Sequence, residues 1–288
     1  MSFRQKCRSS PTPRRQAVVR CARLLVAVLA MLPGLAGCAL MRASNTREWV
    51  PDQSVLSYAE IREPLVTVHN VRNCDYRTEK DFTVQHYDKT VDLRELDSVY
   101  FIVVPFPDMP SLAHTMLSFG FANRDYLGVS VEVRREKGET YNPLRGMFNQ
   151  YEIMYVVADE RDLIGLRSNL RLNDVFVYRA KATPEQAKTL FLDMMQRANK
   201  LAKQPEFYNT LTNNCTTNIV QHVNHLAPHK VPLDYRVLLP GYSDRLAYDL
   251  GLLDTPLPYE QAREQARITQ LAYLYRDSPS FSQEIRRR

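Results

Sequence analysis

A chain of 288 residues exceeds one average domain but suits one large domain with appendages. Its 44% hydrophobic and 24% charged residues support a sizeable buried core and exclude a repetitive or disordered chain. The formal charge of +6 points to nucleic acid only until its placement is considered: residues 1–37 hold seven of the 38 basic residues and no acidic one, leaving 31 basic against 32 acidic residues. That body lacks the basic surface phosphate binding needs, so nucleic acid is excluded as a main partner.

The basic residues of the first segment lie between Arg4 and Arg23, and the uncharged run Leu24–Gly37 follows, ending in Leu35-Ala36-Gly37-Cys38. This is the layout of a secretory signal, too short for the ~20 residues of a spanning helix. Its end resembles the bacterial lipobox, which implies cleavage before Cys38 and diacylation of that thiol; a plain export signal is the alternative. A diacylated Cys38 implies stable attachment to a membrane. Ala39 behind it, where aspartate favours inner-membrane retention in Gram-negative lipoproteins, tilts the expectation to the outer membrane. Residues 38–60 are polar and contain Pro51. They read as a flexible tether spanning roughly 27 Å root-mean-square.

From about residue 61 the pattern turns strand-like, with apolar runs over Val99–Val104, Leu112–Phe121 and Tyr126–Val133. The last two flank Asn123-Arg124-Asp125 and read as a hairpin. Further strands are expected at Glu152–Val157, Leu163–Arg167 and Val175–Tyr178. Thr183-Pro184-Glu185-Gln186 is a capping-box start for a helix of about five turns that Pro205 stops. A second helix is expected from near Asn213 to about Leu226, ahead of Pro228. A last amphipathic helix is expected over residues 259–275, and Arg286–Arg288 reads as a solvated tail, with anionic lipid contact as the alternative. The fold class is α+β, a mostly antiparallel sheet packed against helices.

Beyond Cys38, the candidate chemistry rests on Cys74, Cys215 and the histidines. In an oxidising compartment a Cys74–Cys215 disulfide is the plainest reading. Against it, Cys215 follows Asn213-Asn214 in the first turn of the second helix, where unpaired amides and the dipole stabilise a thiolate. A thiolate nucleophile needs an imidazole base and a group to orient it. His222 and His225 lie about 10–15 Å along the same helix and cannot reach the sulfur; their spacing also suits a metal pair, but no third ligand is nearby in sequence, so no metal or cofactor is expected. His69, His86 and His229 have no supporting context. His114 has one: with the hairpin turn centred on Asn123, paired positions sum to about 246, which sets His114 across from Glu132 to within one residue. Asn214, or the Cys215 amide, is a candidate oxyanion donor. Arg134 and Arg167 are candidate forks for a substrate carboxylate or phosphate, with structural salt bridges to Glu136, Glu152 or Asp162 as the bland alternative. Tyr208 is a candidate pocket residue or core residue.

A helix-start cysteine with a sheet-borne histidine resembles the papain-type constellation, and histidine-before-cysteine order resembles the circularly permuted NlpC/P60-like thiol hydrolases and acyltransferases. From about Arg77 to Gly251 the chain resembles one family, the periplasmic domain of Lnb-type lipoprotein intramolecular transacylases. The likeness is carried by Ala113-His114-Thr115 with Ser118–Phe121, Val131–Glu136, Tyr151-Glu152 with Asp162 and Arg167, and Asn213-Asn214-Cys215-Thr216-Thr217. It implies acyl transfer through a thioester on Cys215 with His114 as base. Family members carry transmembrane helices after this domain, whereas this sequence reads as ending soluble and as acylated itself.

The expected organisation is a signal peptide over 1–37, a tether over 38–60, a thiol-enzyme domain over 61–255 and a C-terminal helix and tail over 256–288. The expected function is a membrane-anchored acyltransferase or hydrolase using Cys215, His114 and Glu132 on lipid acyl groups or cell-wall peptides. The alternative is a non-catalytic envelope lipoprotein, a binding or scaffolding module whose Cys215 is buried or disulfide-bonded.

Overall fold

The structure, a computed structural model, describes residues 42–226 and 231–287. The expected signal peptide, the lipidation site Cys38 and His229 lie outside the described residues. The folded unit begins at Ala43.

Its strands in chain order are β1 (Tyr58–Arg62), β2 (Leu65–Arg72), β3 (Asp75–Tyr76), β4 (Phe82–Thr83), β5 (His86–Asp92), β6 (Leu96–Phe106), β7 (Met109–Phe121), β8 (Asp125–Arg134), β9 (Glu152–Ala158) and β10 (Phe176–Arg179). The helices are α1 (Pro143–Gly146), α2 (Glu160–Gly165), α3 (Pro184–Lys203), α4 (Cys215–Leu226), α5 (Tyr235–Leu238), α6 (Ser243–Asp249), α7 (Tyr259–Ala266), α8 (Thr269–Leu274) and α9 (Phe281–Glu284). The main sheet runs β1-β2-β9-β8-β7-β6-β10, with β5 also on β2. Among the described residues only the β2–β9 contact is parallel, at Arg72–Ala158. This is the expected α+β class.

Alternation along the strands divides the core between two faces. On one, Leu117, Phe119, Val129, Val131 and Tyr155 pack with Phe191 and Met194 of α3 and with Cys215 and Ile219 of α4. On the other, Ile102, Met116, Met154 and Val156 pack with Leu163 and Ile164 of α2 and with Ile268, Ala272, Phe281 and Ile285 near the C-terminus. Every residue of β9 is buried because helices cover both faces there. The capping box forms as expected: Gln186 N donates to Thr183 Oγ1 at 3.3 Å and Thr183 N to Gln186 Oε1 at 2.9 Å. The β7–β8 register also matches, running from Met116–Ser130 to Phe121–Asp125 on a sum of 246.

Four expectations are corrected. The tether does not extend to residue 60: Trp49 is buried, Arg134 lies 4.1 Å over its ring, and the Asn45 amide donates to Leu201 O and Ala202 O at the end of α3. Leu163–Arg167 is not a strand. It belongs to α2 and a following π turn over Leu166–Leu170, where Leu163, Ile164, Leu166, Arg167 and Ser168 are all buried around a partly buried Gly165; a short apolar run does not separate a buried helix from a strand. The helix expected over 259–275 is broken, because Ile268 N leaves it to donate to Val175 O beside β10. Arg286 is no solvated tail: it pairs with buried Glu160 and stacks on Tyr100 and Tyr126 at 4.1 and 3.8 Å.

Candidate functional site

A cleft of about 330 Å³ opens where the sheet divides, and His114, Glu132, Arg167, Tyr208, Asn214 and Cys215 line it. Its cause is visible in the pairing. The β7–β8 ladder stops at Met116–Ser130, while β7 stays on β6 past Pro105–Ala113 and β8 stays on β9 as far as Arg134–Glu152. Beyond Met116 and Ser130 the two strands therefore part.

Cys215 opens α4, and its neighbours hold that helix end. Asn214 is the cap: its Oδ1 accepts from Thr217 N at 2.9 Å while its own N donates to Thr217 Oγ1 at 2.8 Å. Its Nδ2 donates to Thr210 O at 2.6 Å. Upstream, Asn209 and Asn213 exchange backbone hydrogen bonds, and Thr210 Oγ1 donates to Pro143 O at 2.8 Å, docking the loop on α1. The side chain of Asn214 is thus spent on capping, whereas the Cys215 N–H has no acceptor among the described residues. That amide, at the positive end of a three-turn helix, is the better oxyanion donor of the two candidates. The sulfur neighbours Thr216 Oγ1 at 3.8 Å, and Thr216 Oγ1 meets Thr115 Oγ1 at 3.0 Å.

His114 lies on the other face of its strand. Nε2 is 2.7 Å from Ser130 Oγ, Ser130 donates to Glu132 Oε1 at 2.9 Å, and Arg167 Nη2 donates to the same oxygen at 2.9 Å. The one hydroxyl proton of Ser130 goes to the carboxylate, so its oxygen accepts from Nε2–H, and Nδ1 carries the ring's free lone pair. Burial, with the Arg167 guanidinium beside it, pushes the imidazole down to about 3 against the pull of Glu132. Burial also opposes ionisation of Glu132, but Arg72 and Arg167, with the hydrogen bond from Ser130, outweigh it and hold the carboxyl well below its usual range.

The candidate pair shares the cleft from opposite faces of the sheet, and the sulfur is not hydrogen-bonded to the ring. Glu132 reaches His114 through Ser130 rather than directly. Arg167 takes the structural role, pairing with Glu132 and donating to Leu163 O at 2.8 Å, while its residue still lines the cleft. Arg134 is corrected as a substrate fork: its guanidinium donates to Gln53 O, Asn45 Oδ1 and Ser54 O, each at 2.9 Å, and is consumed by the N-terminal segment. Tyr208 is buried with its hydroxyl 3.5 Å from that of Tyr141, and burial raises both phenols. Cys74 and Cys215 are free and buried. Cys74 sits by Asp162, which accepts from its N–H at 2.8 Å, and burial pushes its thiol up to about 11.

Sequence reasoning passed over Ser130. Its signal was available, since Ser130 and Glu132 share a strand face by period two. Tyr141 carried no signal, because the loop that brings it to the cleft is irregular.

A family model described as the Lnb N-terminal periplasmic domain matches residues 83–241, more than half of the chain, and spans His114, Glu132 and Cys215. No curated protein and no solved structure matches. Among the described residues no helix is long and apolar enough to cross a membrane.

Proposed function

The chain belongs to the Lnb N-terminal periplasmic domain family, and from that premise we propose that it is a cysteine-dependent acyltransferase or hydrolase of the cell envelope, anchored through Cys38. The observation that carries this reading is one cleft holding a helix-start thiol, a free amide beside it and a neutral imidazole whose far nitrogen is committed to Ser130, which in turn donates to the Glu132 carboxylate. Nδ1 of His114 takes the Cys215 proton as the sulfur attacks an ester or amide carbonyl, and the Cys215 N–H faces the developing oxyanion. The imidazolium, supported by Glu132 through Ser130, returns its proton to the leaving alkoxide or amine. A water, amine or hydroxyl then gives a proton to Nδ1 and attacks the thioester, restoring the thiol. For this transfer the ring and the sulfur must meet across the cleft in the reacting complex, where catalytic contacts are tighter than in the free protein.

Two features favour a lipid acyl substrate over a peptide. An apolar cavity of about 100 Å³, lined by Phe101, Leu117, Thr216, Ile219 and Leu246 among others, adjoins the sulfur's helix end and suits a short stretch of hydrocarbon. With the folded unit starting at Ala43, five peptide units from an acylated Cys38 reach at most about 18 Å. On this reading the domain works against its own membrane, the outer one.

Incubating the protein with a diacylated phospholipid or lipopeptide and measuring intact mass tests the proposal. A hydroxylamine-sensitive acyl adduct on Cys215 is the expected result. No adduct with either donor, from a protein whose thiol titrates as free, favours the non-catalytic binding module instead. Ser130→Ala removes the acceptor for His114 Nε2–H and the bridge to Glu132. It is expected to slow turnover on the order of 10- to 100-fold with little change in KM, read from steady-state kinetics.

A further inference from the structure

We propose that Asp193, His222 and His225 form a binding site for one divalent transition-metal ion of the zinc type, outside the cleft. Sequence reasoning dismissed a metal at His222 and His225 for want of a third ligand; packing of α3 on α4 supplies it. His222 Nδ1 and His225 Nδ1 lie 2.7 and 2.8 Å from the same oxygen, Asp193 Oδ2. All three ligand atoms lie within 4.8 Å of one another.

Hydrogen-bond polarity makes this more than a cluster. The Asn218 amide donates through Nδ2 to Asn213 Oδ1 and Asn214 O, both at 2.8 Å, which turns its Oδ1 toward Tyr155. The Tyr155 hydroxyl donates to that oxygen at 3.1 Å. Its oxygen, 2.7 Å from His222 Nε2, therefore accepts, and the ring proton sits on Nε2. In a neutral ring this leaves a lone pair on buried Nδ1 aimed at a carboxylate oxygen. Lone pairs from His222 and Asp193 thus meet where a proton or a metal ion belongs, with the second imidazole at the same point. A ligating histidine that donates its other N–H to an ordered group is the usual arrangement around a bound metal.

Two imidazole nitrogens and one carboxylate oxygen match the preferences of Zn²⁺, which holds them at about 2.0–2.2 Å and hence roughly 3.3 Å apart in a tetrahedron. Small rotations of Asp193 and exposed His225 provide that spread. His225 is 67% exposed, so the fourth position opens to water. The ion would clamp α3 to the helix that begins with Cys215.

Untagged protein stripped with EDTA and titrated with ZnCl₂ in a calorimeter is expected to bind one ion per chain with micromolar or tighter affinity. His225→Ala, at a position outside the core, and Asp193→Asn are each expected to weaken binding at least tenfold. Co²⁺ in place of Zn²⁺ is expected to show visible d–d bands without thiolate charge transfer, which separates this site from Cys74 and Cys215. Absence of saturable binding, binding that His225→Ala leaves unchanged, or a thiolate band would each overturn the proposal. The first would make the cluster an imidazolium–carboxylate staple. Since none of the three residues lines the cleft, these outcomes are independent of whether Cys215 forms an acyl adduct.

Discussion

Cys215→Ser is expected to lower kcat/KM for acyl transfer on the order of 10³-fold or more while moving the melting temperature by no more than about 4 °C. The first figure follows from losing the proposed nucleophile, the thiol that the cleft places beside a helix amide with no acceptor among the described residues. The second follows from a near-isosteric change costing about 1 kcal/mol, worth roughly 2–4 °C at this size. His114→Ala is expected to cost about 10²- to 10⁴-fold. The double variant is expected to be no worse than Cys215→Ser alone, because a base without its nucleophile has nothing to deprotonate. Burial holds His114 near 3, so the ring is a free base throughout ordinary pH. The acid limb of kcat/KM is accordingly expected below pH 5 rather than near 6.5. The same depression has a sign for stability: below pH 6.5 the unfolded chain binds a proton at this site that the native state refuses, so stability falls as pH drops from 6.5 toward 3. Full activity in Cys215→Ser would remove the sulfur from the mechanism.

Asp162→Ala is expected to destabilise the protein by about 3–5 kcal/mol, a fall of roughly 6–20 °C in melting temperature. Asp162 accepts two bonds from Arg72 Nε, one from Nη2 at 2.8 Å and one from Cys74 N, and both members of the ion pair are almost wholly shielded from water. Removing the carboxylate strands the Arg72 guanidinium, whose remaining bond is to Asp52 O at 3.2 Å. Arg72 also stabilises the Glu132 carboxylate, so the damage reaches the His114 support. The paired replacement Arg72→Met with Asp162→Leu is expected to recover most of the loss, since the attraction of a buried pair largely offsets its own desolvation. Thermal and denaturant melts of the single and double variants decide the matter, and a single variant within 1 kcal/mol of the parent would contradict it.

Local rules made much of this molecule legible. Thr183-Pro184-Glu185-Gln186 dictates its own helix start because all the capping partners lie within four residues. The β7–β8 register is legible for a similar reason: a short turn at Asn123 and period-two burial leave one pairing that keeps both apolar faces inward. These local features also led to His114, Glu132 and Cys215 as candidates lining one cleft. Tertiary structure alone decided the rest. The parting of β7 from β8 depends on which neighbours each strand keeps. Arg134 as a clamp on residues 45–54, Arg72 on Asp162, and Asp193 between two histidines all join groups at least 29 residues apart, and no short-range periodicity records such separations. Leu163–Arg167 was misread because burial on all sides erases the alternation by which a sequence shows its secondary structure. Composition and spacing thus determined the elements and the chemical candidates, whereas the long-range packing of a sheet covered on both faces decided which of those candidates meet.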